Sequence, residues 1–496
     1  MIDVHILNKR YYPEIKYVFD TIFFSLGLEC AYGQDLREIN ENSEGVHIVY
    51  GKDTYAQELP DARNLIFIKE SGMLFGRDYL KPCSVPRNAG IYETGGVFNG
   101  GIISIYNDGE PLYISSDAER KRTETNIDII SDIFFMLTRY EEVVSGGKKD
   151  KHGRFPAAES LAYKNNFLLR PIVNEHIELL WSWLYSFSTG CRRVDRWNGK
   201  AFAACISHDV DHVMKNKGPY SALRHALGVL LRTMSLKKTF EYLKDYLKNR
   251  RDHTKDPYWT FGYLVDLERK YEFNSSFYFM ASKLSDPDCR YDIGDVKVRD
   301  LIAELEKQGR EIGLHGSLQS CSDKALMLSV KSRLDEIVKS KPYGCRQHYL
   351  KFQIPVTWRY QAESGLLYDT SLTFAGHEGF RCGMCLPFKP FDIYERKVLD
   401  IYEIPLLIME GTLQSSMYRN LSPKEALSSI IDIIETVKKY GGVFSVLWHN
   451  SSFDLIFEGW HTVYEDMMGY LGSSGCIGLS GREIIEAMRL SRVSTA

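Results

Sequence analysis

Short apolar runs alternate with amphipathic stretches along the chain after residue 200. Runs of this kind, bounded by polar or turn-forming residues, predict buried strands. They are AFAACIS (201–207), SSFYFM (275–280), REIGLHG (310–316), YGCRQHY (343–349), YDTSL (368–372), LDIYEIPLLI (399–408) and VFSVLWHN (443–450). Helical patterns at 298–309 and 423–441 lie between some of these runs, and the second ends at a glycine, which helix C-termini favour. The alternation predicts an α/β fold with a mostly parallel sheet, either open or closed into a barrel.

The pattern differs before residue 200. Short strands are predicted at 46–50, 64–70 and 101–106, and helices at 126–144 and 171–187. The stretch 188–200 is rich in Gly, Arg and Asp and lacks periodicity, so it predicts a domain boundary. We therefore predict a mixed α+β region over 1–195, without a catalytic pattern, and an α/β domain over 196–496.

Composition narrows the class of protein. The 496 residues are 44% apolar and 26% charged with a net charge of −3, which excludes a mainly disordered, collagen-like or disulfide-scaffold protein and gives no global basic excess for nucleic acid. The N-terminus lacks the pattern of a signal peptide, and no apolar run is long enough to span a bilayer. We therefore expect a cytoplasmic protein with reduced thiols. The lone CxxC pair, Cys382 and Cys385, is a weak zinc or redox signal, and we expect structural or free thiols there.

Ionisable side chains crowd the end of the first C-terminal strand, which continues Ser207-His208-Asp209-Val210-Asp211-His212. Burying two carboxylates without partners is costly, so packing explains the pair poorly. In an extended segment Asp209 and Asp211 point to the same side. The pair suits one carboxylate on a metal and its neighbour as a base for metal-bound water. The alternative is a loop with two helix-capping aspartates.

Three further strands end in similar chemistry. His315 ends one, Arg346 and His348 lie on the next, and His449 ends another. Carboxylate and neutral imidazole bind zinc or a similar ion such as cobalt, nickel or manganese. Because functional side chains of parallel α/β folds gather at strand C-termini, we predict a hydrolase with one divalent metal. Asp209 would take the proton of water, His449 would protonate the leaving group, and Arg346 would orient Asp209 through a forked bond.

At these residues the chain resembles the polysaccharide deacetylase superfamily, the NodB-homology carbohydrate esterases, over about 200–490. The resemblance implies a distorted (β/α) barrel of about seven strands that removes acetyl groups from sugars with a divalent metal. It also implies Asp209 as base, and Asp211 and His315 as metal ligands. Segments 207–212, 315–319, 346–349 and 447–449 resemble the four family motifs, in the same order.

The layout of the whole chain resembles a group of bacterial proteins with an uncharacterised N-terminal region before a deacetylase-like domain. The stretches SDIFFMLTRYEE (131–142) and KDKHGRFPAAESLAYK (149–164) carry that resemblance.

The chain departs from the family at Gln319, which stands where the second metal-binding histidine belongs. Three outcomes are open. In the first, His348 replaces that histidine as the third ligand; many family members carry proline at this position. In the second, two protein ligands and water hold the metal. In the third, the chain binds no metal and does not catalyse hydrolysis.

The first hypothesis is therefore a metal-dependent hydrolase that removes an N- or O-acetyl group from a sugar or from a nucleotide- or lipid-linked glycan intermediate. The lack of a signal peptide favours a biosynthetic substrate. The alternatives are a catalytically silent glycan-binding barrel or scaffold in polysaccharide biosynthesis, and a hydrolase of another non-peptide C–N bond.

Two segments offer additional surfaces. Residues 213–255 hold 11 Lys/Arg and 3 Asp/Glu, with apolar residues at helical spacing. They predict a peripheral contact with an anionic membrane, a site that holds a lipid-linked glycan, or a solvated helical insertion packed on the barrel. The Gly/Pro-broken loop 380–390 is predicted to be a wall of a sugar cleft or an ordinary surface loop.

Overall fold

The computed structural model describes residues 2–40, 44–94, 100–107, 109–187, 190–216, 218–454 and 456–490. Its N-terminal part is built on a sheet with the strand order β2-β1-β3-β4-β8-β7, in which neighbours are parallel except for β7 and β8. The strands here are β1 (Ile2–Ile6), β2 (Ala31–Gly33), β3 (Val46–Gly51), β4 (Leu65–Lys69), β5 (Gly90–Tyr92), β6 (Ile102–Ser104), β7 (Ile114–Asp117) and β8 (Arg122–Thr125). The helices are α1 (Tyr12–Leu26), α2 (Ile129–Leu137), α3 (Tyr140–Val144), α4 (Leu161–Lys164) and α5 (Ile172–Ser186).

The helix predicted over 126–144 is divided into α2 and α3. The break lies at Arg139, whose backbone has a left-handed φ of +52°. A right-handed helix cannot continue through this conformation, so α2 ends before Arg139 and α3 begins after it. Its fully buried guanidinium donates to Glu141 and Glu142, both at 2.8 Å. The prediction of one helix was wrong because apolar periodicity continues through a residue whose backbone is set by this buried ion cluster.

The C-terminal part is an α/β structure around a curled parallel sheet with the order β16-β13-β12-β11-β10-β9-β18-β17 and β19 beside β9. The strands are β9 (Phe202–Val210), β10 (Ser275–Met280), β11 (Glu311–Gly316), β12 (Cys345–Gln347), β13 (Tyr368–Asp369), β14 (Phe391–Asp392), β15 (Lys397–Val398), β16 (Tyr402–Glu403), β17 (Ile408–Met409), β18 (Val443–Leu447) and β19 (Cys476–Gly478). The helices are α6 (Pro219–Thr233), α7 (Leu236–Asn249), α8 (Phe261–Lys270), α9 (Val296–Lys307), α10 (Lys324–Asp335), α11 (Val356–Glu363), α12 (Glu410–Gln414), α13 (Pro423–Lys439), α14 (Trp460–Ser473) and α15 (Gly481–Leu490).

One segment brings the two edges of this sheet together. The strand predicted over 399–408 is interrupted at Pro405, so that β16 pairs with β13 and β17 pairs with β18. On either side of the proline, the N–H of Ile404 donates to Asp369 and that of Leu407 to Ser445, on opposite edges of the sheet. The predicted α/β barrel fold is confirmed as a curled parallel sheet, and this segment links its two edge strands β16 and β17.

The loop 380–390 joins the two parts of the chain. Arg381 donates to both carboxylate oxygens of Glu142, and the N–H of Cys385 donates to Oδ1 of Asn174 at 3.0 Å. Most of the loop is buried, so both sequence interpretations of it, a sugar-cleft wall and a surface loop, were wrong. One apolar core contains side chains from both sides of residue 195. The division into domains 1–195 and 196–496 stays a prediction.

Candidate functional site

Strand β9 carries Asp209 and leads directly into Asp211. Ser207 and Asp209 both contact Arg346, as expected for alternate residues on one face of a strand. His208 points to the other face, where its Nε2 lies 2.8 Å from Oε1 of buried Glu268. The strand continues to Val210, so Asp209 lies inside the sheet and only Asp211 lies beyond its end. His208 therefore serves packing between the sheet and α8.

Arg346, on strand β12, holds Asp209 in place. Its side chain is fully buried and its guanidinium lies 4.7 Å above the centre of the Tyr278 ring. Nη1 donates to Oδ1 of Asp209 at 3.0 Å, while Nε and Nη2 donate to Thr370. Burial alone would lower the pKa of Arg346, but Asp209 raises it, so the guanidinium stays charged. The contact with Asp209 is one hydrogen bond and not the predicted fork, because Thr370 occupies the other nitrogens.

His315 has a defined tautomer. Its Nδ1 lies 2.9 Å from the carbonyl oxygen of Arg346, and a carbonyl only accepts, so Nδ1 carries a hydrogen. In the neutral ring, Nε2 then presents a lone pair, and it lies 3.1 Å from Oδ1 of Asp211. A lone pair and a carboxylate oxygen repel each other unless a cation lies between them. This arrangement requires a proton or a metal ion at Nε2.

His348 follows β12 in a short 3₁₀ turn and points to the same carboxylate. Its Nε2 lies 3.6 Å from Oδ1 of Asp211, and its Nδ1 lies 3.4 Å from Oδ2 of Asp288. Burial would lower the pKa of His348, but Asp211 and Asp288 outweigh burial and raise it to about 9. Asp288, in the loop after β10, was missed by the sequence analysis because it lies far beyond the end of that strand.

His449 is held from behind by a buried glutamate. Nδ1 of His449 lies 2.6 Å from Oε1 of Glu410, which also accepts the backbone N–H of His449 at 3.0 Å. Burial would lower the pKa of His449, but Glu410 raises it to about 10. Nε2 lies 3.7 Å from Oδ2 of Asp211. The sequence analysis missed Glu410, although a carboxylate two residues past the apolar run 399–408 was a usable signal.

Asp211 is the point where these side chains meet. Burial alone would raise its pKa, but His348, His315 and His449 hold it well below the usual range. One ligand atom from each of Asp211, His315 and His348 lies within 4.8 Å of the others. One carboxylate and two imidazoles form a donor set that zinc and similar ions accept. These three residues could hold a divalent ion, and a ligating imidazole would then be neutral.

The remaining sequence candidates lie elsewhere. The side chain of Gln319 is exposed. The backbone carbonyl oxygen of Gln319 accepts the N–H of Ser322 in a turn. Cys382 and Cys385 are buried free thiols whose pKa values are raised by burial, so they stay protonated at neutral pH. Among the described residues, no helix is both long and apolar enough to cross a bilayer.

A loop of the N-terminal part reaches the rim of the site. The ring of His152 stacks on the ring of Tyr349, with 4.7 Å between ring centres. The Tyr349 ring also contacts the His348 ring, with 4.2 Å between ring centres. Buried Arg154 donates to the carbonyl oxygen of Tyr349 and to the hydroxyl of Tyr418, both at 2.8 Å. Tyr349 has a left-handed φ of +59°, a strained backbone that surrounding contacts must hold. The N-terminal part therefore supports the turn that carries His348.

One family model matches the N-terminal part of the chain. Residues 4–188 match the model of a family of unknown function, DUF7033. No curated protein matches the chain.

Several solved structures are similar to a part of this chain. A protein described as a polysaccharide deacetylase from Mycobacterium smegmatis is 15% identical, with a TM-score of 0.40, over 60% of this chain and 93% of that one. The allantoinase PuuE is 13% identical, with a TM-score of 0.40, over 62% and 97%. A protein described as a polysaccharide deacetylase from Pseudomonas aeruginosa PAO1 is 14% identical, with a TM-score of 0.40, over 61% and 96%. At these identities the likenesses say nothing about an activity of this chain.

Proposed function

We propose that this chain is a metal-dependent hydrolase that removes an acetyl group from a sugar or a glycan intermediate. The observation that carries the proposal is the meeting of His315 and His348 at Asp211, where Nε2 of His315 lies 3.1 Å from a carboxylate oxygen. Asp209 and His449 flank this cluster. The choice of an acetyl group rests on the motif resemblance at 207–212, 315–319, 346–349 and 447–449.

Asp211, His315 and His348 would hold the ion, and Asp209 would act as base. When bound, a divalent ion would lower the pKa of a water and polarise a carbonyl group. Asp209 is fixed by Arg346 through Oδ1, while its Oδ2 lies 3.7 Å from Nε2 of His315, on the cluster side. Oδ2 is therefore the oxygen that accepts the proton of an attacking water.

His449 would donate the proton that the leaving group needs. Glu410 fixes the ring through Nδ1 and leaves Nε2 directed towards Asp211. The side chains of His449 and Asp211 are 19% and 24% exposed, whereas that of His315 is 1% exposed. Substrate would therefore approach from the side of His449 and Asp211.

The proposal is tested by measuring acetate release from a panel of N- and O-acetylated sugars. The full chain is stripped with a chelator and reloaded with zinc, cobalt, nickel or manganese. We expect acetate release that is lost on stripping and restored by one of these ions. Ammonia release or ring opening of a cyclic ureide, without acetate, would indicate hydrolysis of another C–N bond. Glycan binding without release under every ion would indicate a silent barrel.

Removing Arg154 is expected to weaken the site from a distance. Arg154 donates hydrogen bonds to Tyr349 and Tyr418, and without them the turn that carries His348 loses support. Arg154→Ala should therefore lower zinc affinity or kcat/KM about 10–100-fold, the effect that is typical of residues that orient a metal ligand. Chelator competition and acetate release measure the two quantities. Lys151→Ala, an exposed neighbour in the same loop, should stay within twofold of wild type. Equal effects of both changes would contradict a specific role for Arg154.

A further inference from the structure

Helices α6 and α7 form a hairpin that leaves the barrel shortly after Asp211. Its base is tied to the barrel side: Nζ of Lys215 lies 2.5 Å from Oδ2 of Asp454, and the hydroxyl of Tyr242 donates to Asn216 at 2.6 Å. A small apolar cluster of Ala226, Val229 and Tyr242 lies inside the hairpin. The hairpin is thus a packed unit with a defined inner face.

The outer face of α6 is also apolar. Ala222, Ala226 and Val229 supply the buried side at helical spacing. A second stripe with spacings of three and four residues is exposed to solvent: Tyr220 (84% exposed), Leu223 (63%), Leu227 (55%), Leu231 (68%) and Met234 (83%). A surface helix of a globular protein normally presents polar residues there.

Helix α7 repeats the arrangement. Tyr242 is buried, whereas Leu236, Phe240 and Leu247 are 76%, 70% and 61% exposed. The hairpin thus holds eight of the 22 large apolar side chains that are exposed among the described residues, within 28 residues of sequence. Scattered exposed leucines need no explanation, but a concentration of this size marks a contact surface.

Charge indicates what covers this surface. Residues 213–255 carry an excess of eight positive charges although the whole chain has a net charge of −3. Lys244 is exposed four residues after Phe240 and three before Leu247, so it borders the apolar stripe, and Lys237 and Lys248 are exposed on the same helix. An apolar stripe bordered by lysines is the pattern of a helix that lies in the headgroup region of an anionic bilayer.

We propose that the outer face of the α6–α7 hairpin binds the surface of an anionic lipid bilayer. The exposed leucines and Phe240 enter the boundary between headgroups and acyl chains, and the bordering lysines contact lipid phosphates. The contact is peripheral, since α6 has 15 residues and α7 has 14. It does not depend on the proposed hydrolase activity.

Vesicle flotation of the full chain tests the proposal. We expect binding to vesicles of phosphatidylcholine with one-quarter phosphatidylglycerol, weak binding to phosphatidylcholine alone, and loss of binding at high salt. The double variant Leu231→Glu/Phe240→Glu should bind at least tenfold more weakly. The control Tyr185→Glu/Leu284→Glu changes side chains that are 70% and 59% exposed outside the hairpin, and should bind within twofold of wild type.

The lysines are tested separately. Lys237→Gln/Lys244→Gln/Lys248→Gln should reduce the preference for anionic vesicles at least tenfold, since each basic residue near the surface contributes about a fivefold factor. Absence of wild-type binding to anionic vesicles would overturn the proposal. So would a concentration-dependent dimer, seen by light scattering, that Leu231→Glu/Phe240→Glu dissolves while no vesicle binding is found, because the face would then join two copies of this chain.

Discussion

Asp209→Asn is expected to lower kcat/KM for acetate release by about 10²–10⁴-fold while the chain keeps its metal. The amide keeps the shape of the carboxylate and can still accept the hydrogen bond from Arg346, but it cannot take a proton from water at neutral pH. Asp211, His315 and His348 are unchanged, so the metal content by elemental mass spectrometry should equal that of wild type. Activity and metal content thereby separate the base from the ligands.

Asp209→Asn also removes the charged partner of Arg346, whose side chain is fully buried, so the variant is expected to be less stable. Removing one member of a buried ion pair costs about 3–5 kcal/mol of the free energy of unfolding. Circular dichroism and thermal unfolding therefore accompany the assay, and Asp209→Glu, which keeps the charge but displaces it, provides a second inactive variant. Asp292→Asn, at an ion pair with Arg333 in which Asp292 is 48% exposed, is the control and should retain full activity. Near-normal turnover in a folded, metal-loaded Asp209→Asn would contradict the assignment of the base.

His348→Ala is expected to weaken zinc binding by more than about a hundredfold, since the loss of even an outer-shell partner costs 10–100-fold. The Nε2 atoms of His348 and His315 both face Oδ1 of Asp211, so removing either imidazole removes one of three converging donors. His315→Ala should have a similar effect. Competition with a zinc-binding dye measures both affinities without any substrate.

Gln319→Ala is the matched control for this experiment. Gln319 stands where the deacetylase motif that the sequence resembles carries its second histidine. Its side chain is exposed, so its removal should leave zinc affinity within twofold of wild type. Loss of zinc in Gln319→Ala with retention in His348→Ala would contradict the assignment of His348 as the third ligand. Absence of metal from the wild-type chain after incubation with excess ion would contradict the metal site altogether.

Much of the barrel could be predicted because its strands are buried on both faces. A parallel strand covered by helices is apolar along its whole length, so runs such as 275–280 are visible in the sequence. Asp211, His315, His348 and His449 could be proposed for the same reason, because an ionisable residue is conspicuous at the end of an apolar run. The segment 399–408 was also recognised as apolar, but its division between two sheet edges was not.

The sequence by itself determined the alternation of strands and helices and the residue types at the strand ends, since both are local properties of the chain. Only the tertiary structure decided the contacts between distant segments: Glu410 behind His449, Asp288 beside His348, and Arg154 under the turn at Tyr349. It also decided that Pro405 lies between the two edge strands of the sheet and that the described part of the hairpin exposes an apolar face. These features depend on which surfaces meet when strands far apart in sequence pair side by side, and no periodicity in one segment encodes the position of another.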